Sequence, residues 1–246
     1  NKGSEFNLEE FTIQSWFSGS DSTIGFSSQQ INNAQTIISM LNSSGEIIVG
    51  IFKIPQYSSQ LNIWINNEND TTIEVLDNLD DVDSFNLLSL KSTYVDSNIS
   101  IEIFINKTKI FNKTTTLNLE AIENLDFIIG GKVSTQHNYR DSFWHGYIDE
   151  IRLWDIALAD SIIEYHNDYP YKLSEAPNDQ TYNDYLGELS GLWRFYAIDE
   201  VYSLIPNQAC SAIERIYNDN PCSTNSEATI YTHGNDSEIK FSEKHK

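Results

Sequence analysis

Residues 143–166 read FWHGYIDEIRLWDIALADSIIEYH, and two periodicities meet in them. From Gly146 to Trp154 the chain alternates. Tyr147, Asp149, Ile151 and Leu153 fall on one face; Ile148, Glu150, Arg152 and Trp154 fall on the other. From Leu158-Ala159-Asp160 onward, Ile162, Ile163, Tyr165 and His166 recur at helical spacing. The expectation is a half-buried strand that runs into one or two turns of helix. Asp149 is the odd member of its face. If that face is the core, the carboxylate needs a hydrogen-bond cluster or a cation, because an unpaired buried charge is very costly.

The flanking sequence is also built from strands. Phe11–Phe17 alternates Phe11, Ile13, Ser15 and Phe17 against Thr12, Gln14 and Trp16. Gln35–Leu41 and Gly45–Phe52 are strand-like, and Asn42-Ser43-Ser44-Gly45 signals a hairpin between them. Leu61–Ile65 and Thr72–Leu76 suggest another hairpin, and Phe85–Tyr94 with Ile99–Ile105 a third. Lys109–Asn112 and Leu125–Gly131 add strands, and residues 132–142 form a polar loop. The acidic run Asp77–Asp83 lacks the Gly and terminal Glu of an EF-hand, so a solvated turn is expected there. No β-α-β alternation occurs, so a parallel α/β sheet is not expected. The fold class read from this pattern is all-β, an antiparallel two-sheet sandwich with one short helix after residues 146–154.

Composition narrows the function. The 246 residues include 39% hydrophobic and 12% aromatic residues, enough for a substantial core. The formal net charge is −21, a surface that repels phosphate backbones and anionic membranes, so nucleic-acid binding is not expected. No apolar run approaches the roughly 18 residues of a membrane span, so no membrane insertion is expected. Gly3-Ser4-Glu5-Phe6 reads as a cloning scar, which sets residues 1–6 apart. Cys210 and Cys222 are expected to pair in an oxidising compartment, contributing about 3 kcal/mol or less; two free buried thiols are the alternative. N-glycosylation sequons stand at Asn42, Asn69, Asn98, Asn106, Asn112 and Asn235 and permit a secreted glycoprotein without requiring one.

Gly146-Tyr147-Ile148-Asp149-Glu150-Ile151-Arg152-Leu153-Trp154, with Leu158 beyond it, resembles the final strand of laminin G-like domains of the concanavalin A-like jelly-roll family, roughly G-x-I-D-E-V-R-I-W-x-x-x-L. Phe11-Thr12-Ile13-Gln14-Ser15-Trp16 resembles that family's early F-T-I-x-x-W, and Ile129-Gly130-Gly131 its I-G-G. Phe104-Ile105-Asn106-Lys107 stands where the family has Y-x-N-G. Lys107 in place of Gly puts a type I′ turn in doubt, because that turn needs positive φ at both central residues. Leu189–Phe195 resembles the opening of such a domain and Ser237–Phe241 its first full strand, so the order is shifted. Two readings follow. Residues 7–246 form one sandwich, with 167–185 a surface connection and 186–246 supplying closing strands; or 186–246 begin a second repeat. The first reading is favoured, because without a closing strand the sandwich would expose an edge beside Phe11–Phe17.

The resemblance implies a fold that hosts lectins, adhesion modules, hydrolases and spacers, so function must come from the site. No G-x-S-x-G, H-E-x-x-H, P-loop or G-x-G-x-x-G is present, and His137, His145, His166, His233 and His245 are scattered. The β-glucanase jelly rolls carry E-x-D-x-x-E on one strand; here Glu150–Asp155 places Arg152 at the middle acid. A hydrolase is therefore the third reading and no enzyme is expected. The leading reading is an extracellular or cell-surface recognition module for glycans or protein partners, within a larger adhesive protein; a spacer without a ligand is second. Tyr57, Tyr139, Trp144, Tyr169 and Tyr171 are candidate sugar platforms in loops, whereas Trp16, Trp64 and Trp193 fall in strand patterns and are expected in the core. The resemblance also implies a structural calcium held by Asp149 and the 193–200 segment, where Asp199 and Glu200 lie. The alternative is that Asp149 accepts backbone N–H bonds with no metal.

Overall fold

A computed structural model describes residues 10–19, 35–41, 47–53, 61–66, 71–76, 85–95, 98–115, 126–130, 132–133, 140–141, 144, 146–170, 172–173, 185, 188–193, 204–206, 227–233 and 236–242. In chain order the strands are β1 (Phe11–Gly19), β2 (Gln35–Leu41), β3 (Ile47–Lys53), β4 (Leu61–Asn66), β5 (Thr71–Leu76), β6 (Asn86–Val95), β7 (Asn98–Ile105), β8 (Thr108–Thr115), β9 (Asp126–Ile129), β10 (Lys132–Val133), β11 (Arg140–Asp141) and β12 (Gly146–Trp154). Helix α1 (Asp160–Asp168) follows, then β13 (Leu189–Trp193), β14 (Leu204–Pro206), β15 (Glu227–His233) and β16 (Asp236–Ser242).

The strands make two antiparallel layers, the expected jelly-roll sandwich. One layer has the order β13-β12-β1-β6-β7-β8, the other β14-β15-β16-β9-β2-β3-β4-β5. Alternation places Phe11, Ile13 and Phe17 of β1 with Leu88, Leu90, Ile101, Ile103 and Ile151 on one face of the six-stranded layer. They meet Ile38, Met40, Val49, Ile51, Ile63, Ile65 and Ile129 from the eight-stranded layer in one buried cluster. The edge that a missing closing strand would leave beside Phe11–Phe17 is not formed. Strand β1 is central, paired to both β12 and β6, and β13 lies one strand further out. The 132–142 stretch, expected as loop, contains the short β10–β11 ribbon.

Two departures from simple alternation matter. At the β7–β8 turn, positive φ falls on Asn106 (56°) and not on Lys107, so Lys is tolerated where the I′ turn would need Gly. The Asn106 side chain holds the turn in place: its Oδ1 accepts the Leu87 N–H at 2.9 Å and its Nδ2 donates to Asn86 Oδ1 at 2.9 Å. In β12, Trp16 faces Asp149 and Gln14 faces Arg152, so Ser15 is opposed by two residues, Glu150 and Ile151. Glu150 takes φ 51°, the left-handed conformation of a β-bulge, with its N–H bound by Asp149 Oδ1 at 2.7 Å.

That bulge reverses the expected facing of the first half of β12. Ile148, not Tyr147, packs with Ile151 and Leu153 on the core. Tyr147 and Asp149 share the opposite, outer face with their partners Ser18 and Trp16. The buried acid of the strand is Glu150, 1% exposed, while Asp149 is half-buried.

A second buried cluster lies on the outer face of the six-stranded layer. Trp154, Leu189, Leu192 and Phe104 there meet Leu158, Ile162, Ile163, Leu173 and Tyr185. Helix α1 and the segments beside it roof this half of the sheet. Leu173 and Tyr185 are buried in the roof, although 167–185 reads as a surface connection. Thr12 locks the entry to the helix: its Oγ1 donates to Ile156 O and accepts from Leu158 N–H, both at 2.9 Å. Gly191 is needed where β13 passes Leu153, because a Cβ there would lie 2.2 Å from the Trp193 ring.

Candidate functional site

The roof divides the outer face in two. Under α1, polar side chains are sealed in a network. Gln14 Oε1 accepts the Trp154 indole N–H at 3.1 Å and faces His166 Nδ1 at 2.9 Å, while Gln14 Nε2 donates to Ser89 Oγ at 3.1 Å. The indole is a donor only, so Gln14 must present its oxygen, and Nδ1 of His166 carries the proton. His166 Nε2, unprotonated in this tautomer, stands 3.3 Å from Leu173 O without donating to it; that carbonyl accepts the Tyr185 hydroxyl. The imidazole stacks on Trp154 with ring centroids 5.4 Å apart. Burial, with the Arg152 charge adding to it, pushes the His166 pKa well below its ordinary value, so the ring is neutral at pH 7.

Beside it, Arg152 is fully buried and donates through Nη2 to Glu150 Oε1 at 2.9 Å and to Pro170 O. Further along the sheet, Lys91 bridges Glu102 (2.5 Å) and Asp160 (2.7 Å), and Lys109 bridges the same two acids at 2.8 and 3.2 Å. Burial draws the Glu102 and Asp160 carboxyls upward, but the two ammonium groups outweigh it and hold both below their ordinary values. The Glu102 hydrogen bond raises the Lys109 ammonium in return. Glu102 ties β6, β7 and β8 together, and Asp160 ties the same two lysines to α1, so the network is structural.

The other half of the outer face, toward Gly19, carries exposed aromatic surface. Tyr147 faces Ser18 from β12. Phe85 immediately precedes Asn86, the β6 partner of Phe17, so it flanks Ser18 from the opposite side. Ser18 is small and buried, and the two rings lean over it to a centroid distance of 6.2 Å with 36° between their planes. Tyr147 is 70% exposed and Phe85 53%. Trp16, half-buried, continues the strip along β1, with Asp149 facing it. The Asn106 turn supports the strand directly below Phe85. Most large apolar side chains in the described residues are buried, so this pair stands out.

The sequence candidates fall as follows. Trp144 is buried rather than a platform; its ring packs edge-on to Phe17 and its indole N–H donates to Ser18 O at 3.1 Å. Tyr169 is 44% exposed, with the Lys172 ammonium 4.6 Å from its ring. Trp193 is in the core, while Trp16 and Trp64 are half-buried. Of the implied metal pair, Asp149 gives one oxygen to the bulge amide. Among the described residues no three His, Cys, Asp or Glu side chains come together, whereas calcium wants six to eight oxygens. Asp199, Glu200, Cys210, Cys222, Tyr57, Tyr139, Tyr171, His145, Asn42, Asn69 and Asn235 lie outside the described residues. Of the remaining sequons, Asn112 is exposed, Asn98 is half-buried, and the Asn106 amide nitrogen is held by Asn86. Phe85 and Tyr147 escaped the sequence reading: one ends a loop, and the other was assigned to the core by unbroken alternation.

The sequence of residues 2–164 matches the family described as the concanavalin A-like lectin/glucanases superfamily. The chain belongs to this superfamily. The lectin/glucanase match ends within α1, before β13–β16. Among solved structures, the chain is similar to a heptameric SAP-like pentraxin from Limulus polyphemus (11% identity, TM-score 0.44, covering 65% of this chain and 70% of that one). It is similar to a Bacteroides ovatus protein named for carbohydrate binding (12%, 0.50, 84% and 51%). It is also similar to CBM40 of the Ruminococcus gnavus IT-sialidase, bound to α2,3-sialyllactose (13%, 0.46, 65% and 83%). The chain thus spans about half the length of the Bacteroides protein. At these identities the likeness is one of fold. No curated protein matches the sequence. Among the described residues no helix is long and apolar enough to cross a membrane.

Proposed function

We propose that this concanavalin A-like domain is a non-catalytic recognition module that binds glycans or protein partners outside the cell, as part of a larger surface or adhesive protein. The observation that carries this reading is the Phe85–Tyr147 pair, large apolar rings held open to solvent on the half of the outer face that α1 does not roof. Aromatic faces bordered by polar groups suit recognition, since they bury much area for little conformational entropy. The names of the Bacteroides and Ruminococcus structures, which speak of carbohydrate, agree with it but do not carry it.

Hydrolysis has less support. Glu150, the strand carboxylate of the E-x-D-x-x-E comparison, is buried and ion-paired to Arg152 instead of open to a groove. A structural calcium would have to draw on Asp149 and on the 193–200 segment together. It is tested separately: addition of calcium raises Tm and EDTA lowers it if a metal is held, and an unchanged Tm in both removes it. The main test is a glycan array beside a pull-down from extracellular-matrix extract, using the intact chain. Reproducible binding that falls in Tyr147→Ala is expected. Blank results in both formats would overturn the recognition reading in favour of the spacer.

A further inference from the structure

The aromatic pair has a shape and an electrostatic setting that select among glycans. The two rings converge over Ser18 at 6.2 Å with a 36° tilt, forming a shallow, slightly folded platform and not a closed pocket. A platform of this kind contacts the apolar C–H face of a pyranose while leaving its hydroxyls in water. Tyr147, at 70% exposure, also brings a phenol O–H that donates and accepts at the rim. The charge around it is unfavourable for anions. The chain carries −21 overall, and Asp149 lies on the same face two residues along β12. At this end of the sheet the β7–β8 turn offers Lys107, but its ammonium is tied to Asp168 at 2.6 Å. Among the described residues at this end, the cation Lys107 is already paired, so a sialic or uronic acid would meet that field without a free ammonium for its carboxylate.

We infer that the Phe85–Tyr147 platform binds uncharged sugars, neutral hexoses or N-acetylhexosamines, by stacking. This rests on the recognition reading above. The test uses an array holding neutral oligosaccharides and their sialylated and uronic counterparts, followed by titration of the best neutral hit against the intact chain and the variants Tyr147→Ala, Phe85→Ala and Tyr147→Phe. Both alanine variants should lose at least about tenfold in affinity, and Tyr147→Phe should keep most of it, because stacking and not the hydroxyl dominates. Tm should stay near that of the parent, since both rings are exposed. Binding confined to the anionic glycans would overturn the neutral class and leave recognition standing. Neutral binding unchanged in both alanine variants would overturn the placement on this face. A blank array would overturn the inference, and the pull-down then decides whether recognition survives with protein partners.

Discussion

Glu150 sits at a residue-scale conflict. It adopts a left-handed backbone that a side chain resists, and it is fully desolvated, yet it neutralises Arg152, which is also fully buried. The attraction in that buried pair is offset by desolvation, so its net contribution is modest, but removing one partner strands the other. Glu150→Ala is expected to destabilise by about 3–5 kcal/mol in urea or guanidinium unfolding. A loss under about 1 kcal/mol would mean that Arg152 reaches water. His166 supplies a pH signature. Its folded pKa lies below the ordinary 6.5, so the unfolded chain binds more protons in that window. Stability is fully present above about pH 6.5 and falls as pH drops below it. A melting series from pH 7.5 to 5 should show this decline, and His166→Gln should flatten that segment. The sequence showed that His166 sits at helical spacing. It could not show the indole and the amide that hold it, because they come from β12 and β1.

At the scale of elements, α1 is a short helix with a poor start. Its N-cap is Ala159, extended at φ −61° and ψ 146°, and no side chain caps the first turn. Such a helix is marginal alone. The buried face of Ile162, Ile163, Tyr165 and His166 and the Lys91–Asp160–Lys109 bridges hold it on the sheet. Ala159→Asp is expected to stabilise by about 1 kcal/mol, seen as a raised Tm, by giving the first turn the side-chain acceptor it lacks. On the acid side the bridges should hold until their carboxyls protonate. Glu102 and Asp160 have folded pKa values below their ordinary 4.5 and 3.8, so their contribution is present above those values and is lost as pH falls through the depressed ones. The strand–helix order was legible from the switch between periods 2 and 3.6. The bulge in β12 was not. Asp149-Glu150-Ile151 has no Gly to mark it, and the extra residue shows only when β1 is laid alongside.

At the scale of the whole molecule, the tail beyond the family match bonds into both layers. β13 pairs with β12, placing Leu192 in the outer cluster and Trp193 in the inner one, and β16 pairs with β9. A chain ending at residue 185 should therefore lose cooperative melting and aggregate, because the β12 and β9 edges would be open. If residues 186–246 instead start an independent repeat, the shortened chain will melt as the parent does. Size-exclusion chromatography with thermal melting separates the two.

Local pattern by itself determined that this chain forms antiparallel strands, where most of them begin and end, and that one short helix follows residues 146–154. Those properties depend on near-neighbour periodicity and turn chemistry, which are written along the chain. Tertiary structure alone decided which face of each strand is covered. Both faces of the six-stranded layer carry apolar residues, and the second is buried only where α1 arrives to roof it. The part of the outer face that α1 leaves uncovered keeps Phe85 and Tyr147 in water. Their pairing joins residues 62 positions apart, 85 and 147, across a third strand, and no local signal encodes that distance.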